Sequence, residues 1–152
     1  MEEQKLQEII KEKFPMAQIV RGKQFLTVTI DKNMIYNLAE FLKQHPETSF
    51  DYLFCESAVD YGSRFGMVYH LDSTRYRHQI VMKAVIDDRN DPEIDSVFGV
   101  WRGAEYHERE IFDLFGIRFT NHPDLRKIFL DNDWVGFPLR KDYVDEVNIV
   151  ER

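Results

Sequence analysis

The chain has one cysteine, Cys55, in 152 residues. A single thiol closes no internal disulfide. It also falls three short of the four thiolates that an ordinary iron–sulfur cluster or a four-cysteine zinc site requires. Cys55 lies in an apolar run, so it is expected to be a buried small hydrophobe in a protein of a reducing compartment. Long hydrophobic runs are also missing. No stretch approaches the ~20 apolar residues of a membrane span, and any membrane contact is expected to come through partners. The N-terminal Met1-Glu2-Glu3-Gln4-Lys5 has neither the apolar stretch of a secretory signal nor the acid-poor character of a transit peptide. Positive charge is short as well. Lys and Arg number 20 against 27 Asp and Glu, a net −7, which argues against nucleic acid as a partner.

Hydrophobic residues make up 43% of the sequence and charged ones 31%, the balance of one domain with a packed core. Leu6, Ile9, Ile10 and Phe14 fall on one helical face that Pro15 ends. Ala17 to Val20 reads as a short strand, and Arg21-Gly22-Lys23 as a turn. Leu26, Val28 and Ile30 alternate with threonines as a half-buried strand. Asp31 is placed to cap a second helix carrying Ile35, Leu38, Ala39 and Leu42, which His45-Pro46 stops. Phe50–Tyr61, Phe65–Leu71 and Gln79–Ile86 read as strands joined by short hairpins. The order is α-β-β-α-β-β-β. It predicts an α+β fold, a two-layer α/β domain with two helices covering one face of a five-stranded sheet. An acidic loop from Asp87 to Asp95 leads to a third helix.

That helix is predicted over Val100–Phe115, with Trp101, Ala104, Phe112 and Phe115 on one face and Glu108 among them. A carboxylate there must be paired or have its pKa raised. The expected partner is an arginine, Arg126 or Arg140. The alternative is a general acid or base acting with His122. Glu105, Arg109 and Asp113 are spaced to form an i, i+4 charge ladder. His107-Glu108-Arg109-Glu110-Ile111 lacks the second histidine of a zincin motif, and His122-Pro123 reads as a turn. No catalytic, cofactor-binding or metal-ligating residue is expected. Gly116 fits the end of the helix. From there to Tyr143 periodicity vanishes, yet Phe119, Phe129, Trp134, Phe137 and Tyr143 are too aromatic for simple disorder. The segment either wraps its own domain or lies on another protein, and aromatics interleaved with arginines suit an interface.

The string Glu108-Arg109-Glu110-Ile111-Phe112-Asp113-Leu114-Phe115-Gly116-Ile117, then Phe119 and His122-Pro123-Asp124-Leu125-Arg126, resembles the signature of the 30 kDa, or C, subunit of NADH-quinone oxidoreductase, respiratory complex I. Asp133-Trp134 and Gly136-Phe137-Pro138-Leu139-Arg140-Lys141-Asp142-Tyr143 are similar to that family's ending. The resemblance implies a mixed sheet, with an α/β domain over residues 1–116 and an extended docking segment over 117–152. It implies a peripheral-arm subunit with no cofactor of its own, in a complex that carries FMN, iron–sulfur clusters and quinone on other subunits. The expected partners are the large quinone-site subunit, lettered D, and the cluster-bearing subunits, lettered B and I, on the cytoplasmic side of the bacterial inner membrane. The docking residues implied are Phe129, Trp134, Gly136, Pro138, Leu139, Arg140, Lys141, Asp142 and Tyr143. Neither a long tail nor a fused quinone-site subunit is expected. The runner-up is the equivalent subunit of an energy-converting hydrogenase or related dehydrogenase.

Overall fold

A computed structural model of the chain describes residues 3–131 and 133–144. Helix α1 (Glu3–Lys13) buries Leu6 and Ile10, with Phe14 buried just beyond it. Strands β1 (Gln18–Arg21) and β2 (Leu26–Thr29) form an antiparallel hairpin. Asp31 does act as a cap, accepting from the Asn33 N–H at 2.9 Å, but it caps a 3-10 turn (Lys32–Met34) that runs into helix α2 (Ile35–Gln44). The long strands follow: β3 (Tyr52–Asp60), β4 (Phe65–Asp72) and β5 (Gln79–Ile86). The sheet order is β1-β2-β5-β4-β3, with β2 and β5 parallel and the other pairs antiparallel. The fold is therefore α+β with a five-stranded mixed sheet, as the sequence predicts.

Alternation along the strands gives the sheet two unlike faces. Leu26 and Val28, Phe65, Met67, Tyr69 and Leu71, and Ile80, Met82, Ala84 and Ile86 point into one core shared with the helices. Thr27, Val68, His70 and Lys83 stand on the opposite face, only half-buried. Strand β3 changes parity midway. Leu53 pairs with Leu71 and Cys55 with His70, so Phe54 is an extra residue, a β-bulge. After it Glu56 pairs with Tyr69 on the core side. Cys55 is consequently half-buried on the outer side, not buried as the apolar run suggests.

Two elements are not evident from the sequence. Strand β6 (Glu93–Asp95) lies in the acidic loop, and β7 (Arg118–Thr120) lies beyond the third helix. They pair in parallel, with Ile94 opposite Phe119. Three-residue strands are too short for alternation to show. The third helix, α3 (Ala104–Phe115), starts four residues later than expected. Val100 and Trp101 instead form a turn back to the Val97 carbonyl. Trp101 is buried there, its indole N–H donating to the Phe50 carbonyl at 2.9 Å. Across α3 it is Ala104, Glu108, Ile111 and Asp113 that are buried, while Phe112 and Phe115 are half-buried.

Candidate functional site

Glu108 is fully buried, but no arginine meets it, which corrects the expected pair with Arg126 or Arg140. Its carboxylate accepts from the Ser96 hydroxyl and from the Val97 N–H at 3.1 Å. Beside it lies a second carboxyl, Glu56, which the bulge in β3 turns into the core. Counted as a carboxylate, Glu56 has no donor for either oxygen. Protonated, Glu56 would supply a donor to Glu108, and the two would then share one proton. Burial, then the charge of Glu108, pushes Glu56 well above the usual carboxylate range. Burial raises Glu108 too, against the donors it accepts from. The proton therefore rests on Glu56. Tyr69, its cross-strand neighbour, is pushed up by the same burial.

His122 does reach Glu108, its Nε2 4.0 Å from Oε1. Its hydrogen bonds lie elsewhere. Nε2–H donates to the Glu105 carbonyl at 3.1 Å, and Nδ1 accepts from the Asp124 N–H at 3.0 Å, which assigns the ring proton to Nε2. Both side chains have no exposed surface. Both groups are sealed from solvent, and through them α3 is joined to the segment around Ser96 and to the sheet.

The charges on the other side of α3 hold the C-terminal segment. The expected ladder of Glu105, Arg109 and Asp113 does not form. Arg109 instead donates to the carbonyls of Arg126 (3.1 Å) and Lys127 (3.3 Å). Asp113 is buried, and its Oδ2 accepts three successive backbone N–H groups, those of Ile128, Phe129 and Leu130, at 3.2, 2.7 and 3.1 Å. These bonds compete successfully because each joins a charged side chain to a main-chain group, and those of Asp113 are withdrawn from solvent.

The chain then crosses the end of α3. Gly116 caps the helix at φ 76°, ψ 20°, and the ring of Phe137 lies 2.5 Å from where a Cβ would stand. Only glycine suits both that backbone and that approach. The Leu139 N–H donates to the Leu114 carbonyl at 3.0 Å, and Arg140 Nε to the Phe115 carbonyl at 2.6 Å. Arg140 also lies over the rings of Phe65 and Phe137. At the edge of the sheet, Asp60 accepts from both ends of the Arg89 guanidinium (2.6 and 2.9 Å) and from the Lys141 N–H (2.8 Å). Arg89 bridges on to Asp142 at 3.1 Å. These bonds, those of Arg89 above all, hold Asp60 far below the usual carboxylate range. Residues 126–131 and 133–142 thus form a strap across α3 and the end of β3.

The implied site residues divide along this strap. Phe119, of the signature string, is buried on β7 within the core. Leu125 packs half-buried against that core. Arg126 is exposed and pairs with Asp124 at 2.9 Å. Glu110 and Pro123 are exposed. Gly136 turns the strap at φ 88°, with the Tyr143 ring packed on it; Pro138 and Tyr143 are half-buried. Outward-facing apolar groups remain at Phe129 (64% exposed), Trp134 (40%), Val135 (88%) and Leu139 (44%). Sequence reasoning misses Glu56, Asp60 and Arg89. None sits in a motif, and only the fold brings them to α3.

Known proteins match this architecture. The fold is shared with a chain of the membrane-bound sulfane sulfur reductase, an archaeal respiratory membrane complex, at a TM-score of 0.81 and 24% identity over 95% of this chain and 86% of that one. The NADH-quinone oxidoreductase C subunit of Geobacter sulfurreducens is 42% identical over 88% of this chain and 85% of its own length. That of Roseiflexus sp. (strain RS-1) is 46% identical over 77% of this chain and 68% of its own. A third relative, the NADH-quinone oxidoreductase C/D subunit of Phocaeicola vulgatus, is 46% identical over 72% of this chain, which spans only 21% of that protein. The profile of the family described as the 30 kDa subunit of respiratory-chain NADH dehydrogenase matches residues 28–147. With α2 to the strap inside that match, the chain belongs to the family of the 30 kDa subunit of respiratory-chain NADH dehydrogenase.

Proposed function

We propose that the chain is a cofactor-free docking subunit in the peripheral arm of a proton-translocating NADH:quinone oxidoreductase, seated against the large quinone-site subunit. The observation that carries this reading is the two-sidedness of the strap. Its main chain is tied down by Arg109, Asp113 and Asp60, while Phe129, Trp134, Val135 and Leu139 face outward. An ordered backbone presenting apolar side chains to water is arranged for a partner, since the ordering entropy is already met and only burial remains to be gained. A relative in which the C and D subunits form one chain supports the quinone-site subunit as that partner. In this reading the chain supplies no reacting group, and catalysis belongs to the assembled complex.

The test is recovery of the quinone-site subunit on full-length chains carrying Phe129→Ser and Trp134→Ser. Each ring is expected to contribute about 2 kcal/mol as an interface anchor, so the double variant should lose that partner by at least about a hundredfold in affinity. Its circular dichroism and melting should match the parent, because neither ring is in the core. Unchanged recovery of the quinone-site subunit would overturn the docking role of the strap.

A further inference from the structure

Among the described residues, none covers the face of the sheet opposite the helices, and its chemistry is not that of a solvated surface. The rings of Phe25 and Phe54 each lie 5.5 Å from that of His70, and Tyr52 stacks on Phe54 at 6.3 Å. Aromatics therefore run across the strands from the β1–β2 turn to the edge strand β3. Val59 and Tyr61, at the far end of β3, are 38% and 51% exposed. A groove beside these groups is lined by eleven residues, Lys23, Phe25, Tyr61, Val68, His70 and Lys83 among them, and none is acidic. That is notable in a chain with 27 carboxylates against 20 Lys and Arg. The state of His70 agrees: burial and then Lys83 lower its pKa, and no carboxylate offsets them. The nearest acid along β4 is Asp72, two residues beyond His70 and outside the groove lining.

We infer that this face is a second docking surface, and that it takes an acidic segment bearing apolar side chains from a neighbouring subunit of the assembly. The inference rests on the chain working as a subunit, as proposed above. The apolar groups would gain by burial. Lys23 and Lys83 would be desolvated with them, at a cost that only carboxylates on the partner offset. A second copy of this chain is a poor occupant. Across a two-fold axis through the face, its lysines would meet a groove that holds no carboxylate. Nucleic acid would meet the lysines but leave the aliphatic groups unmatched, and the net −7 of the chain repels it.

The experiment is site-specific photocrosslinking in the assembled complex, with p-benzoylphenylalanine at Val59 on the open face and, separately, at Val135 on the strap. The Val59 probe should label a protein segment rich in Asp and Glu. Adding Lys23→Glu and Lys83→Glu should cut that product at least tenfold while leaving the Val135 product unchanged. The inference is overturned if Val59 labels nothing while Val135 labels the quinone-site subunit. It is equally overturned if Val59 labels a basic segment, a second copy or nucleic acid, or if the two charge reversals leave its product unchanged. Silence from both probes would overturn the strap's docking role along with it.

Discussion

Glu56 is the residue on which most of the buried chemistry turns. Its folded pKa lies above its unfolded one because burial and Glu108 both disfavour its charge. The stabilising contribution is therefore complete below the usual carboxylate pKa and is lost as pH rises through the folded value. Glu56→Gln keeps the shape and offers Glu108 an N–H in place of the O–H, without a proton to lose. Melting temperature measured from about pH 5 to about pH 9 should fall more for the parent than for this variant; parallel curves would show that the pair does not share a proton. Glu108 itself is legible in the sequence as a carboxylate in an apolar stripe, since 100° per residue is enough to place it. Glu56 is not. A strict alternation from Leu53 puts Cys55 in the core and Glu56 in solvent, and the one extra residue at Phe54 exchanges them. Bulges leave little mark on a single sequence, so sequence alone points Glu108 towards arginines, the usual counterions.

Helix α3 works as a rail with two different sides. One side carries Ala104, Glu108 and Ile111 to the core, and the other carries Arg109 and Asp113 to the strap. The i, i+4 spacing of these charges is correct for a ladder, but such pairs contribute only about 0.2–0.5 kcal/mol. A buried carboxylate meeting three amides gains more than that, so the tertiary contacts prevail over the local ones. Asp113→Asn keeps an acceptor but removes the charge, and should weaken the attachment by about 1–2 kcal/mol. Hydrogen exchange at the amides of Ile128, Phe129 and Leu130 should quicken roughly tenfold or more, with the α3 amides unaffected. Equal protection in both proteins would mean that the strap is held by other bonds. The end of α3 at Gly116 is readable from sequence because a helix C-terminus has a residue signature. Its start is not, since the turn through Val97–Trp101 continues the helical spacing of apolar residues without being helix.

Across the whole molecule, the strap links α3 to the far edge of the sheet, where Asp60 is its anchor. The folded pKa of Asp60 is depressed below the unfolded value, chiefly by Arg89. Its contribution is present above the usual carboxylate pKa and is lost as pH falls towards the folded value. Below about pH 4 the grip on Lys141 and Arg89 should weaken. Asp60→Asn should reproduce at neutral pH the loss of amide protection around Lys141 that acid causes in the parent; protection unchanged in both cases would remove Asp60 from this role. The five-stranded sheet and the helix order are visible in the sequence because long elements repeat their period. The aperiodic segment offers two readings, wrapping its own domain or lying on another protein. Its backbone does the first, and its outward side chains are what the second would use. Nearly every bond that fixes residues 126–141 to the domain uses a main-chain N–H or carbonyl, which any amino acid other than proline supplies. Side-chain identity at Phe129 or Leu139 is thus left almost free by this fold. Under the docking role proposed above, selection at those positions answers to the partner's surface, and they can change in step with it while the domain beneath them stays the same.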